Sequence, residues 1–274
     1  MKTVIDGTLT RNPLVADYSE WKARDYFDTY YSEVVLPDEQ AVLAYQIEVL
    51  RAARSHFGRG LEYGCGPTLH RAIAASKYTF RMDMADWLSD NLSEAREWLC
   101  ADESAPEWNR FTRYVLACEG ERNASASRIL QREALTRKVV RGLYVSDARL
   151  RQPLGPTREN FYDLIISGFC IDAISSDRSV WTSCMRNVTS MLAPGGTFII
   201  HALHRCEAYK CGDRMFPGSN LSIDDMRSAM SNNGFINSSI DVQVISCPDN
   251  EMYGYSGILT ASGRKAPARR RNSN

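Results

Sequence analysis

Short apolar runs alternate with segments of helical period through the middle of this chain, and that alternation restricts the fold more than any single residue does. Residues 61–63, 78–84, 139–145, 162–167 and 197–202 read as strands, with helices predicted over 69–76, 89–99, 119–138 and 178–192. Strands joined through helices lie parallel in one sheet, and the helices cover both of its faces. Two more β-like runs, 236–245 and 253–261, flank a turn rich in Pro, Asp and Asn. The expectation is an α/β chain with a seven-stranded, mostly parallel sheet. Ahead of it, Tyr18, Trp21, Tyr26, Tyr30 and Tyr31, then Val42, Leu43, Ile47 and Leu50, recur near helical spacing, with Pro37 dividing two helices.

Charge narrows the range of partners. The 33 Lys and Arg balance 33 Asp and Glu, so no overall field draws the chain to nucleic acid or anionic lipid. A small neutral or zwitterionic partner fits better. No apolar run reaches the roughly 18 residues of a membrane span, and Met1-Lys2-Thr3-Val4-Ile5-Asp6 has no apolar signal region; the expected location is the cytoplasm. Eight cysteines are too sparse for a disulfide scaffold and read as reduced thiols. His201, His204, Cys206 and Cys211 form the sole candidate metal cluster, but their spacing is too loose for structural zinc, and no metal is expected.

In a doubly wound sheet the ligand lies beyond the carboxyl ends of the strands. The first predicted strand runs into Glu62-x-Gly64-x-Gly66-Pro67, whose glycines allow close backbone approach. A dinucleotide fingerprint needs a third glycine where this chain has Leu69, which disfavours a pyrophosphate and with it a dehydrogenase. Asp86, twenty residues after Gly66, is placed to accept hydrogen bonds from both hydroxyls of a ribose. Asp147, at the end of the third strand, could take an adenine amino group. Either aspartate could instead cap a helix. In order and spacing together they resemble the S-adenosylmethionine site of the Rossmann-like methyltransferases, whose ligand carries ribose, adenine and a sulfonium but no phosphate.

Longer blocks carry a resemblance. Ala23-Arg24-Asp25-Tyr26-Phe27-Asp28-Thr29-Tyr30-Tyr31, Gly64-Cys65-Gly66-Pro67-Thr68, Asp86-Trp87-x-x-x-Asn91-Leu92, Gln152-Pro153-Leu154-Gly155, Cys170-x-Asp172-Ala173 and Leu192-Ala193-Pro194-Gly195-Gly196 resemble the family of nicotinamide, phenylethanolamine, indolethylamine and thioether methyltransferases. The similarity spans most of residues 20 to 262. It implies a Rossmann-like domain over 1–266, with an N-terminal helical lid at 1–58 and a core at 59–266, then a basic flexible tail at 267–274. It also implies cofactor contacts at Tyr26, Tyr31, Gly64, Gly66, Thr68, Asp86, Trp87, Asn91, Asp147 and Ala148. Tyr26, Tyr30 and Tyr31 become lid residues; the alternative is an aromatic stripe packing one helix on the core.

The activity implied is methyl transfer from S-adenosylmethionine to a small molecule by in-line displacement, in which alignment and water exclusion do most of the work. The nitrogen of an amine or N-heteroaromatic is the expected acceptor; sulfur, oxygen or carbon is the alternative, as is cofactor binding without turnover. An alkylammonium must lose a proton before it can attack. Asp172 is the carboxylate best placed to receive it, unless it caps the next helix. The fifth strand departs from the nicotinamide and indolethylamine enzymes: His201 stands where they carry an aspartate, which argues against nicotinamide. It could bind or deprotonate the acceptor, or be a buried structural histidine. Tyr30, Arg205 and Tyr209 complete the candidate acceptor contacts, and a monomer is expected.

Overall fold

The computed structural model describes residues 16–53, 55–158 and 161–268. After a single 3-10 turn at Tyr18–Glu20 come α1 (Ala23–Tyr30) and α2 (Pro37–Ala52). Pro37 opens α2 rather than separating it from α1, because a first-turn proline gives up no helical hydrogen bond. The main body runs β1 (Gly60–Tyr63), α3 (His70–Ala75), β2 (Met82–Asp86), α4 (Ser89–Leu99), α5 (Asn109–Cys118), α6 (Ala126–Val139), β3 (Val140–Val145), β4 (Tyr162–Gly168), α7 (Arg178–Thr189) and β5 (Leu192–Leu203). A hairpin of β6 (Ala208–Cys211) and β7 (Arg214–Pro217), α8 (Ile223–Asn232), β8 (Asp241–Ser246) and β9 (Gly257–Arg264) complete the chain.

Seven strands form one sheet in the order β3-β2-β1-β4-β5-β9-β8, and the hairpin stands apart. The first five strands pair in parallel, whereas β9 runs antiparallel to both β5 and β8. This is the expected mostly parallel, Rossmann-like sheet. Burial on both faces follows from alternation along each strand: Leu164, Ile166 and Ile199 join the cluster built on α2, α3 and α5, while Ile165, Phe198 and Ile200 join the one built on α7 and α8. Strand order reverses between β1 and β4, which opens a crevice at their carboxyl ends.

Several expectations shift. Strand β2 starts at Met82 rather than 78, since Tyr78 N–H donates to Ala75 O and closes the turn of α3. Both terminal strands begin later than predicted, because 3-10 turns at Asn237–Ser239 and Pro248–Tyr253 precede them. The helix expected over 119–138 is α6, and it is not simply exposed: it buries Arg132 and Glu133, which engage Glu119 and Thr112. The arginines at 269–271 lie outside the described residues. No described helix is long and apolar enough to cross a membrane.

Ile200 is fully buried at the centre of the sheet. Replacing it with alanine should destabilise the fold by about 2–5 kcal/mol, read as a lower urea midpoint at unchanged slope.

Candidate active site

The crevice is built on the turn after β1. Gly64 and Gly66 adopt φ of +68° and +58°, the left-handed region that side chains disfavour. A Cβ on Gly64 would lie 2.0 Å from Cys170 Sγ, whereas one on Gly66 would meet nothing nearer than Tyr26 at 3.9 Å. The first glycine lets the turn pack; the second leaves a cradle. Asp86 fixes this turn: its Oδ2 accepts from Gly66 N–H (2.8 Å), and its Oδ1 accepts from Leu88 N–H (2.9 Å) and Asn91 Nδ2 (3.0 Å). Asn91 in turn accepts from Trp21 Nε1 at 2.9 Å, joining the N-terminal segment to the same network.

Around these residues lies a cavity of about 1110 Å³. Gly64, Gly66, Thr68, Asp86, Trp87 and Asn91 line it on the β1–β2 side, and Asp147 and Ala148 at the tip of β3. Tyr26, Tyr209 and Arg205 line it from the N-terminal and hairpin side. Asp147 also pairs with Arg149 through two hydrogen bonds (2.9 and 2.8 Å), which hold its carboxyl below the usual range, and that guanidinium stacks 4.7 Å from the Trp87 ring.

Four expected residues do not line this cavity. Tyr30 and Tyr31 face a smaller one of about 20 Å³, shared with Tyr26, Glu39, Phe169 and Tyr209. Tyr31 donates to Glu39 Oε1 (2.9 Å), and Tyr30 to the carbonyl of Lys210. Asp172 and His201 line neither cavity. Asp172 Oδ2 accepts from Leu203 N–H at 2.8 Å, tying the end of β4 to the end of β5, and burial pushes its carboxyl up to about 6. It caps no helix; Asp177 caps α7. His201 is wholly buried near Tyr45 and Phe169, with no hydrogen-bond partner on either ring nitrogen, and burial lowers it to about 3.

Other residues in the site carried no sequence signal. Phe169 lines both cavities with a φ of 54°, an unfavourable backbone for a bulky side chain held where β4 ends. Arg71 lines the large cavity at 2% exposure, its NH1 and NH2 each 3.3 Å from acceptors on Thr68 and Glu39. Burial alone would raise Glu39, but the Arg71 guanidinium and its partners His70 and Tyr31 hold it at about 2. Glu62, the carboxylate ahead of the glycines in the sequence motif, lies behind the turn and lines neither cavity, and burial pushes it up to about 8. A lone arginine on a short helix reads as surface; only the fold turns α3 inward.

Residues 14–266 match the model of the NNMT/PNMT/TEMT family. The chain belongs to this family. It is 26% identical over 220 residues to indolethylamine N-methyltransferase of Oryctolagus cuniculus, covering 77% of this chain and 81% of that protein. Nicotinamide N-methyltransferase of Sus scrofa is 23% identical over 252 residues, 90% and 94% of the two chains. Against human phenylethanolamine N-methyltransferase, identity is 24% and coverage 64% of this chain and 61% of the relative. Among solved structures, 1,6-didemethyltoxoflavin-N1-methyltransferase of Burkholderia thailandensis, bound to 1,6-didemethyltoxoflavin and S-adenosylhomocysteine, superposes with TM-score 0.54 at 14% identity over 97% of this chain and 99% of that one. That likeness speaks to the fold. As an NNMT/PNMT/TEMT protein, the chain is an S-adenosylmethionine-dependent methyltransferase of small molecules.

The cleft fits that cofactor. Gly66 leaves open space, Asp86 Oδ2 retains a lone pair beyond its one hydrogen bond, and the Arg71 Nε–H is buried without a partner.

Burial also sets a pH dependence. Folded His201 stays neutral down to about pH 3, while the unfolded side chain charges near 6.5, so the unfolded chain binds the extra proton between these values. Stability should fall as pH drops through that window. In urea titrations at pH 7 and pH 5, His201→Phe should lose less stability on acidification than the parent; an identical loss contradicts the buried, neutral assignment.

Proposed function

We propose that this protein methylates the nitrogen of a small amine or N-heteroaromatic, binding S-adenosylmethionine along the tips of β3, β2 and β1. The observation that carries the reading is Asp86: a buried carboxylate that locks the glycine turn and forms the floor of the large cleft. In this reading Asp86 takes the ribose hydroxyls. Trp87, Asn91, Asp147 and Ala148 surround the adenine end, with Arg149 stacked on Trp87 as part of the same wall. Gly64, Gly66, Thr68 and Tyr26 serve the amino-acid arm, with Tyr31 set behind Tyr26 and bonded to Glu39. When bound, the cofactor supplies an electrophilic methyl group on a sulfonium.

The acceptor enters where the two cavities meet, at Tyr26, Phe169 and Tyr209, with Tyr30 behind and Arg205 at the exposed rim. Aromatic faces there suit a cationic or π-rich acceptor. Glu39 at the small cavity is ionised and paired with Arg71, whereas His201 is neutral, so the aromatic faces rather than a free anion meet the acceptor. Asp172 and His201, set back from both cavities, hold the ends of β4 and β5 and position this wall rather than touch the acceptor. The relatives named as N-methyltransferases support nitrogen over sulfur, oxygen or carbon.

Of the residues 1–58 expected as a lid, α2 packs into the core with α3 and α5, and the described stretch ahead of it, 16–36, acts as the lid. This stretch is tied to the hairpin: Ala16 N–H donates to Met215 O (2.7 Å), and Gly212 N–H to Thr29 Oγ1 (3.1 Å). We take the chain to act as a cytoplasmic monomer without a nucleic-acid partner, in keeping with its balanced charge.

Calorimetry with S-adenosylhomocysteine tests the cofactor half. Saturable binding should weaken by about a hundredfold or more in Asp86→Ala, which removes the charge-assisted contact to the ribose together with the brace on the glycine turn. Unchanged affinity in the variant rejects the assignment. Incubation with a panel of amines and heteroaromatics, followed by product NMR, tests the acceptor half. An N-methyl product is expected; an S-, O- or C-methyl product, or binding without turnover on any acceptor, overturns it.

A further inference from the structure

Arg71 is underused where it sits. A guanidinium carries five N–H donors. Here two hydrogen bonds, both 3.3 Å long, reach Thr68 Oγ1 and Glu39 Oε1, and the buried Nε–H has no acceptor. Its place is specific: a Cβ on Gly168 would lie 2.3 Å from Nε, so the glycine ending β4 makes room for this side chain. Other arginines on the cleft wall are spoken for or lie outside it. Arg149 pairs with Asp147, Arg178 with Asp225, and Arg205 is exposed at the rim. Among the described residues, Arg71 is the buried cation of the cleft.

Topology says what it faces. Strand β1 lies between β2 and β4. A nucleoside laid with its base at β3 and its ribose on Asp86 at β2 must lead its 5′ substituent across β1 toward β4. There, Thr68, Arg71 and Gly168 line the cavity. On S-adenosylmethionine that substituent ends in an α-amino acid, whose carboxylate matches the flat, open fork of a guanidinium. Resting on the cofactor reading above, we infer that Arg71 binds the α-carboxylate of the cofactor's amino-acid arm, with Glu39 and Thr68 holding the guanidinium in place.

The test compares ligands with and without that group. The full chain and its Arg71→Gln and Arg71→Lys variants are titrated calorimetrically with S-adenosylhomocysteine and with 5′-methylthioadenosine, which keeps adenosine and sulfur but lacks the amino acid. For Arg71→Gln, affinity for S-adenosylhomocysteine should fall about tenfold or more while that for 5′-methylthioadenosine stays within about twofold; Arg71→Lys should recover part of the loss. Equal weakening of both ligands marks a structural role and overturns the inference, as does unchanged affinity for S-adenosylhomocysteine. Where the glutamine variant fails to fold by circular dichroism, the parent chain decides: the decarboxylated analogue S-adenosyl-3-thiopropylamine should bind about tenfold or more weakly than S-adenosylhomocysteine, and equal binding overturns the assignment. Absence of any binding of S-adenosylhomocysteine by the parent chain instead defeats the cofactor reading itself.

Discussion

One carboxylate joins the parts of the molecule that matter. Asp86 ends β2, accepts from the turn that follows β1, and accepts from the backbone and a side chain of the segment that starts α4. Through Asn91 its network reaches Trp21, in the segment that covers the cleft. Gly64 and Gly66 make the geometry accessible, because left-handed backbone costs glycine almost nothing. The carboxylate makes it definite, supplying acceptors for N–H groups that a sharp turn would otherwise leave unpaired. A pocket for a polar nucleoside follows from these two features, since Oδ2 of the carboxylate that braces the turn retains a lone pair for a ligand.

Behind this floor lies a second layer of buried charge. Glu39 on α2 meets Arg71 and His70 on α3 and the hydroxyl of Tyr31 after α1. Removing either member of such an ion pair leaves an uncompensated buried charge, which is far more costly than never having had the pair. Three consecutive helices are thereby held in one arrangement, at the point where the large and small cavities approach one another. The arrangement confers position on Tyr26 and Tyr31, the aromatic residues closest to the glycine turn from the N-terminal side. Their hydroxyls lie 3.4 Å apart, which links the wall of the cleft to Glu39.

Much of this was legible in the chain because strands buried on both faces are continuous apolar runs. Tyr162 to Ser167 and Thr197 to Ala202 announce themselves as β4 and β5, and the residues at strand tips follow from the topology. What escaped was structure made by polar residues. Helix α8 begins with a reciprocal cap between Ser222 and Asp225, ahead of buried Met226 and Met230, a pattern readable in principle but short. The hairpin of β6 and β7 has four residues in each strand, too few for periodicity to register. Helix α5 is different: its buried Phe111, Thr112, Val115 and Leu116 share one helical face, a period readable in the sequence that escaped notice between its arginines. For the site, the cofactor side was readable because glycine and aspartate at fixed spacing have few other uses. The acceptor side was not: whether His201 and Asp172 face a cavity or the core depends on side-chain direction at the ends of β4 and β5, and both turned inward. Arg71 and Glu39 carry ordinary surface identities, so only their burial reveals them.

A crystal structure of the chain grown with S-adenosylhomocysteine addresses the central claim most directly. The account predicts the ribose hydroxyls on the carboxylate of Asp86, the adenine beside Trp87 and Asp147, and the sulfur directed toward Tyr26 and Phe169. Ligand density elsewhere, or a cleft closed by the protein's own side chains at saturating ligand, contradicts it.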